Sequence, residues 1–404
     1  MSLAALAAQI HYGKSVLAYY ETGQRTPTAE VIAQYEKCFG RIQHPVADLL
    51  NLGKADVERR AFLRVGYSAA LSASALRWDS PHQLAGDPPN ENIVRQVGTA
   101  DVAAVRDVSL VFSQIDQRLG GGHGRTAVVQ YLTNEVVAYL SGHFADDGVR
   151  RQMFSAAAEM TYLAGWMAFD NDEHAVAQRY FAAAMQLATE AEDAPLAGHV
   201  LRAMAHQAID LGHHEQGLQL AEASVSGERY RAACPRERAL LKVVHAKALS
   251  AAGRASESAK ALVVAEQDLA AVDREDAEPA RVFFFSEASL AHETACALRD
   301  VGDLAGAAEQ FQLSVRKRKA GAFTRTHAVT LGYLGSVQAR QGELEQACAT
   351  WHDALDAMGG VRSGRTRSIA RDIRLHLAPQ LHRAVSGARE ADEQAARYLA
   401  ATAS

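Results

Sequence analysis

The chain repeats itself, and that repetition limits what it can fold into. Five segments share one layout: a helix pattern, a tight polar turn, and a second helix pattern with a small residue followed four later by a larger one. They are "LAGWMAFDNDEHAVAQRYFAAAM", "AMAHQAIDLGHHEQGLQLAEAS", "VVHAKALSAAGRASESAKALVVA", "ETACALRDVGDLAGAAEQFQLS" and "LGSVQARQGELEQACATWHDAL". Aligned on the turn they place Asp172, Gly212, Gly253, Gly302 and Gly342 in register, with spacings of 40, 41, 49 and 40 residues. Five residues past each turn stand Ala177, Gly217, Ser258, Ala307 and Ala347, small where two helices must approach closely. Four further on stand Phe181, Ala221, Leu262, Phe311 and Trp351, which fill the gap between successive hairpins. A helical hairpin cannot bury its apolar stripe alone, so a run of them must stack.

This spacing resembles the tetratricopeptide repeat, most clearly in "LGSVQARQGELEQACATWHDAL". The period of about 40 against the family's roughly 34 implies longer helices. The resemblance implies an α-solenoid with a concave inner face. Upstream, Val102, Val105, Val108, Phe112, Ile115 and Leu119 fall on one face of a helix begun by Thr99 and stopped by Gly120. The pair 101–119 and 126–141 is expected to begin the array and 365–383 to cap it. No period-two run is bounded by turn residues, so no sheet is expected. The chain divides into a head at 1–52, a connecting helix and Pro-containing linker at 53–98, a repeat domain at 99–386 and a tail at 387–404. The fold class is all-α.

Composition narrows the function classes. Hydrophobic residues make up 48% and charged residues 22%, and the net charge of −5 argues against wholesale coating of nucleic acid. No apolar run reaches the roughly 18 to 20 residues of a membrane helix. The twin arginines of "VERRAFLRVGYSAALSASAL" imitate an export signal but follow a folded segment, and read as an amphipathic connecting helix. Cys38, Cys234, Cys296 and Cys348 are far apart and read as free thiols of a reducing cytoplasm. The expectation is a cytoplasmic protein with no membrane partner.

The first fifty residues carry a different pattern. Leu6, Ala7, Ile10, Tyr12, Leu17, Tyr20, Glu21, Gly23 and Pro27 are set at fixed spacing. Ala7 is small where two helices cross, Gly13 opens the second helix and Gly23 ends it. A third helix follows over 27–40 and a short fourth over 45–52. This head resembles the repressor-type (xenobiotic-response-element, Cro-like) helix-turn-helix family, without that family's first helix. "RRAFL", "GGGHGR" and "LAGWMAFD" are similar to segments of actinobacterial regulators that join such a head to a helical-repeat sensor.

The resemblance implies that residues 14–21 form a recognition helix entering the major groove. Lys14, Ser15 and Tyr19 would face base edges or flanking phosphates, and Gln24, Arg25 and Thr26 would touch the backbone. It further implies a homodimer on a double-stranded operator. The head holds four basic residues (Lys14, Arg25, Lys37, Arg41) and four acids (Glu21, Glu30, Glu36, Asp48), a balance that weakens phosphate attraction.

Catalytic motifs are missing. "RLGGGHGR" lacks the Lys-Ser/Thr ending and the preceding strand of a phosphate loop and reads as a flexible hairpin turn. No HExxH or GxSxG occurs, and "GHHEQ" sits at a repeat turn; the basic runs at 316–319 and 361–374 could bind an acidic partner or DNA phosphate, with a solvated helix face the favoured reading. No enzyme activity, cofactor or metal is expected. The remaining candidate site is the inner face of the repeats, where Tyr162, Trp166, Phe169, Arg202, His206, Lys247 and His292 are expected to point. Aromatic and cationic lining suits a peptide or a small anionic ligand with a carboxylate, and a protein effector is a further expected partner of the groove. The expected function is a DNA-binding regulator whose repeat domain senses that effector. The alternative is a repeat scaffold with a vestigial head that binds a protein or peptide and not DNA.

Overall fold

The computed structural model describes residues 7, 12–21, 31, 34, 45–58, 67, 95–273, 275, 277–380 and 385–402. Within them the chain is a succession of paired antiparallel helices, in two compact units. The first is made of residues up to 112, 125–169 and 173–233; the second of 113–124, 170–172 and 234–404.

The first unit begins with α1 (Lys14–Glu21) and α2 (Pro45–Glu58). The second of these runs six residues beyond the short helix expected over 45–52. Two-residue strands β1 (Gln96–Val97) and β2 (His143–Phe144) pair in parallel, a correction to the expectation of no sheet. The bridge is too short for any alternating pattern to announce it. Helix α3 (Thr99–Leu119) starts and ends where Thr99 and Gly120 predict. Helix α4 (Gly121–Tyr131) passes into a π-helical turn (Leu132–Val136) and then α5 (Val137–Leu140). The π turn sits under α2: a Cβ on Gly53 would lie 2.1 Å from Thr133 Cγ2. The repeats of this unit are α6 (Asp147–Asp170) with α7 (His174–Glu190) and α8 (Ala194–Asp210) with α9 (His214–Ser224), closed by α10 (Glu228–Arg231).

The second unit carries α11 (Pro235–Ala251) with α12 (Ala255–Ala270), α13 (Glu287–Asp300) with α14 (Leu304–Lys317), and α15 (Thr324–Gln341) with α16 (Leu344–Ala357). The longer spacing of 49 residues is taken up between α12 and α13, where a 3-10 turn covers Ala280–Val282. Helix α17 (Gly364–Leu377) pairs with α18 (Ala388–Ala401). The segment read as a tail is therefore a packed helix: Ala388, Ala391 and Ala395 are buried in one cluster with Trp351 and Ile369. Its apolar residues are alanines, which give little periodic contrast.

The five aligned turn positions all have left-handed backbone, with φ of 66° at Asp172 and 80°, 76°, 89° and 88° at Gly212, Gly253, Gly302 and Gly342. At each, the next residue's N–H bonds back to a carbonyl five residues earlier, as in Glu173 to Ala168 (2.9 Å) and Glu343 to Gln338 (3.0 Å). This Schellman closure satisfies the last carbonyls of the first helix and requires a residue that tolerates positive φ. The small positions and the large positions are buried in every repeat. Trp351 lies against Gly335, where a Cβ would come within 2.5 Å of the indole, and donates its Nε1–H to the Gly332 carbonyl at 3.2 Å. Phe181 lies likewise against Gly165. In these two repeats glycine in the first helix makes room for the aromatic ring of the second.

The glycine-rich "GGGHGR" is not a flexible turn. Only Gly120 (φ 83°) turns; Gly121 onward is helix. Cβ atoms on Gly120 and Gly122 would fall 2.4 and 3.0 Å from the Arg362 carbonyl oxygen. The glycines admit a neighbouring backbone, which Leu119 O and Gly122 N grip through the Arg362 amide (2.7 Å) and carbonyl (3.0 Å).

Candidate functional site

The residues singled out in the head are partly described. Gly13 precedes α1, Leu17 is fully buried, and Lys14 and Ser15 stand exposed on the first turn. Tyr19 lies on α1, but its side chain, and all of Gln24, Arg25 and Thr26, fall outside the described residues. So does most of the connecting segment read over 57–76.

Helix α2 is fastened to the first unit by a buried polar network. Asp56 accepts from Arg125 Nη1 (2.5 Å) and from the Tyr180 hydroxyl (2.9 Å), while Arg125 Nη2 reaches Glu173 at 2.6 Å. Two carboxylates against one guanidinium compensate its burial, and the Tyr180 phenol, desolvated beside Asp56, is held in its neutral form. Arg125 is the final residue of "GGGHGR", so the motif's one charged side chain is spent on α2.

Five of the seven residues expected on the inner face come together. Tyr162, Trp166 and Phe169 lie on α6 at i, i+4 and i+7, one stripe of that helix. Arg202 and His206 lie one turn apart on α8. The Trp166 ring meets Phe169 edge-on at 5.5 Å and His206 at 6.0 Å, and Phe169 meets His206 at 5.8 Å. Arg202 is 2% exposed; its guanidinium carbon stands 5.2 Å from the centre of the Trp166 ring and its Nη2 donates to the Tyr162 hydroxyl at 2.5 Å. His199 joins them, edge-on to Tyr162 at 4.7 Å with its Nε2 3.4 Å from Arg202 Nη2. The sequence reading missed it, although 199, 202 and 206 share one helix face. His206 Nδ1 lies 3.4 Å from Asp210.

Lys247 and His292 belong to the second unit and are described there. Lys247 Nζ lies 3.8 Å from Glu293. His292 is stacked on Tyr333 (5.8 Å) with its Nδ1 2.9 Å from the Thr330 hydroxyl. Burial drives its pKa down to about 3, so it is a neutral ring of the helix packing. Neighbouring Cys296 is pushed up to about 12 by the same burial and is an inert thiol.

The same unit holds a buried ionic cluster with no sequence signature. Arg325 Nη2 lies 3.0 Å from Asp116 and Nη1 2.7 Å from Asp170. Asp170 also accepts from the Gly121 amide at 2.9 Å. Asp116 Oδ1 is buried without a hydrogen-bond partner. Desolvation raises the Asp116 carboxyl to about 6, against the pull of Arg325 and with the repulsion of Asp170.

Among the described residues no group of three or more His, Cys, Asp or Glu side chains has metal-binding geometry, and no helix is long and apolar enough to cross a membrane. No protein-family model, curated protein or solved structure matches the chain.

Proposed function

We propose that the chain is a cytoplasmic transcription regulator, resembling the actinobacterial helix-turn-helix regulators with a tetratricopeptide-like sensor. In this reading the head binds a double-stranded operator and the body, as a homodimer, takes an effector that changes the arrangement of the heads. Such an effector acts only through different affinity for the two arrangements. The observation that carries the reading is the division of α1: Leu17 inward, Lys14 and Ser15 outward on the first turn. Those are the positions from which a recognition helix touches bases and phosphates. The anchoring of α2 through Asp56 supports it, because the segment after the head is fixed to the unit that holds Arg202.

The test is fluorescence anisotropy of the full-length protein on duplex DNA flanking its own gene, over a salt series. Lys14→Ala should weaken specific binding by roughly 1–3 kcal/mol, about ten- to a hundredfold. Binding that ignores salt, or that is unchanged in both Lys14→Ala and Tyr19→Ala, overturns the reading. The neutral charge balance of the head favours the second reading, a repeat scaffold that binds a protein or peptide partner. In that case the full-length protein shows no sequence preference on any duplex.

A further inference from the structure

Four arginines are buried among the described residues: Arg125, Arg202, Arg318 and Arg325. Arg125 faces Asp56 and Glu173, and Arg325 faces Asp116 and Asp170. Arg318 donates to the Ala288 carbonyl (2.9 Å) and the Ser314 hydroxyl (3.1 Å), tying two helices together. Arg202, like Arg318, is held by neutral groups alone, but it stands against a group of aromatic rings. Its Nε reaches the His199 carbonyl at a long 3.4 Å and its Nη2 the Tyr162 hydroxyl, both neutral groups. No carboxylate among the described residues lies within ion-pair distance of it. Its Nη1 donates to no acceptor among the described residues and keeps some solvent contact. A buried cation without a counter-charge is costly, and natural interiors compensate it with an anion.

We propose that Arg202 anchors a binding site for a ring-bearing monocarboxylate, whose carboxylate meets the free edge of the guanidinium and whose ring packs in the aromatic group of Tyr162, Trp166, Phe169 and His206. The inference rests on the effector half of the proposed function and gives that effector a chemical class. A guanidinium edge matches a carboxylate in geometry and charge. One uncompensated cation calls for one negative charge. Trp166 keeps part of its surface exposed while Tyr162, Phe169 and His206 are buried, so an entering ring meets the indole first. Edge-on ring pairs at 5.5–6.0 Å offer π faces and hydrogen-bearing edges that accept a further flat ring.

The test is isothermal titration of the full-length protein with benzoate and indole-3-acetate, each against its neutral amide, with a Phe-terminated tripeptide and its C-terminal amide as a further pair. The acids should bind at least tenfold more tightly than the amides. Arg202→Met, which keeps the stem and removes the charge, should abolish that preference. Without ligand it should melt no lower than wild type, since it relieves a buried charge. Preference for the free tripeptide alone assigns the carboxylate to a peptide end; preference for the small acids assigns it to a metabolite. Acids that bind no better than amides, with Arg202→Met melting lower than wild type, would make Arg202 a structural strut and overturn the site. DNA binding is scored separately. Acid binding without DNA binding removes the proposed head function and leaves this site; DNA binding without acid binding does the reverse.

Discussion

Arg325 and Asp116, separated by 209 residues of chain, meet at 3.0 Å in the interior of the second unit. The pair joins the end of α3 to the start of α15, and Asp170 completes it from the end of α6. Replacing Arg325 by Met leaves two buried carboxylates without their cation. The expected loss is about 3–5 kcal/mol, read as a lower urea midpoint. A loss below about 1 kcal/mol would show that the interior rearranges to pair the carboxylates elsewhere.

The same cluster should give an unusual pH dependence. The Asp116 carboxyl is raised from an ordinary 3.8 to about 6 in the folded protein. Between those two values the folded state holds more protons than the unfolded chain, so this residue's contribution to stability falls as pH rises through about 6. Asp116→Asn should remove that slope between pH 4 and pH 6.5, measured by urea unfolding at each pH. A wild-type and variant that track each other across the window would contradict it.

Two glycine substitutions should separate close packing from backbone conformation. At Gly335 a methyl group would meet the Trp351 indole at 2.5 Å, so Gly335→Ala should cost about 1–3 kcal/mol by forcing the ring away. At Gly302 nothing lies within 4 Å, but φ is 89°, and Gly302→Ala should cost about 1–2 kcal/mol from the left-handed backbone alone. Near-ultraviolet circular dichroism should change for the first and not for the second. Identical spectra would place Trp351 elsewhere.

Asp56→Ala should loosen α2 without unfolding the unit it docks on. Removing the carboxylate leaves Arg125 with Glu173 alone and Tyr180 without its acceptor. Hydrogen exchange of the amides over 45–58 should speed up at least tenfold while α8 stays protected. Unchanged exchange over 45–58 would mean that the apolar contacts of Val46 and Leu49 hold the helix by themselves.

These features differ in how far the sequence discloses them. The repeat was legible because its signals are local: a residue able to take positive φ, a small residue five on, a larger one four beyond that. Asp172 could be aligned with four glycines because aspartate tolerates the left-handed region better than most residues. The stripes that gather around Arg202 were legible for the same reason, as 162, 166 and 169, with 202 and 206, are helix-face spacings. Arg325 was not, since nothing near it in the chain marks Asp116 or Asp170 as partners. "GGGHGR" was misread because glycine clusters signal turns, whereas here a helix start needs them to admit the Arg362 backbone. Helix α18 was lost because alanine gives too little contrast between its buried and exposed faces.

The turn at Asp172 carries one more consequence. Its side chain occupies the space over Gly364, where a Cβ would lie 2.3 Å from the Asp172 carboxyl carbon. The other four repeat turns are glycine and have no such neighbour. Positions 172 and 364 are therefore bound to a common history. A lineage that drifts away from glycine at 364 has to shrink residue 172 first, and the pair should covary although 192 positions separate them.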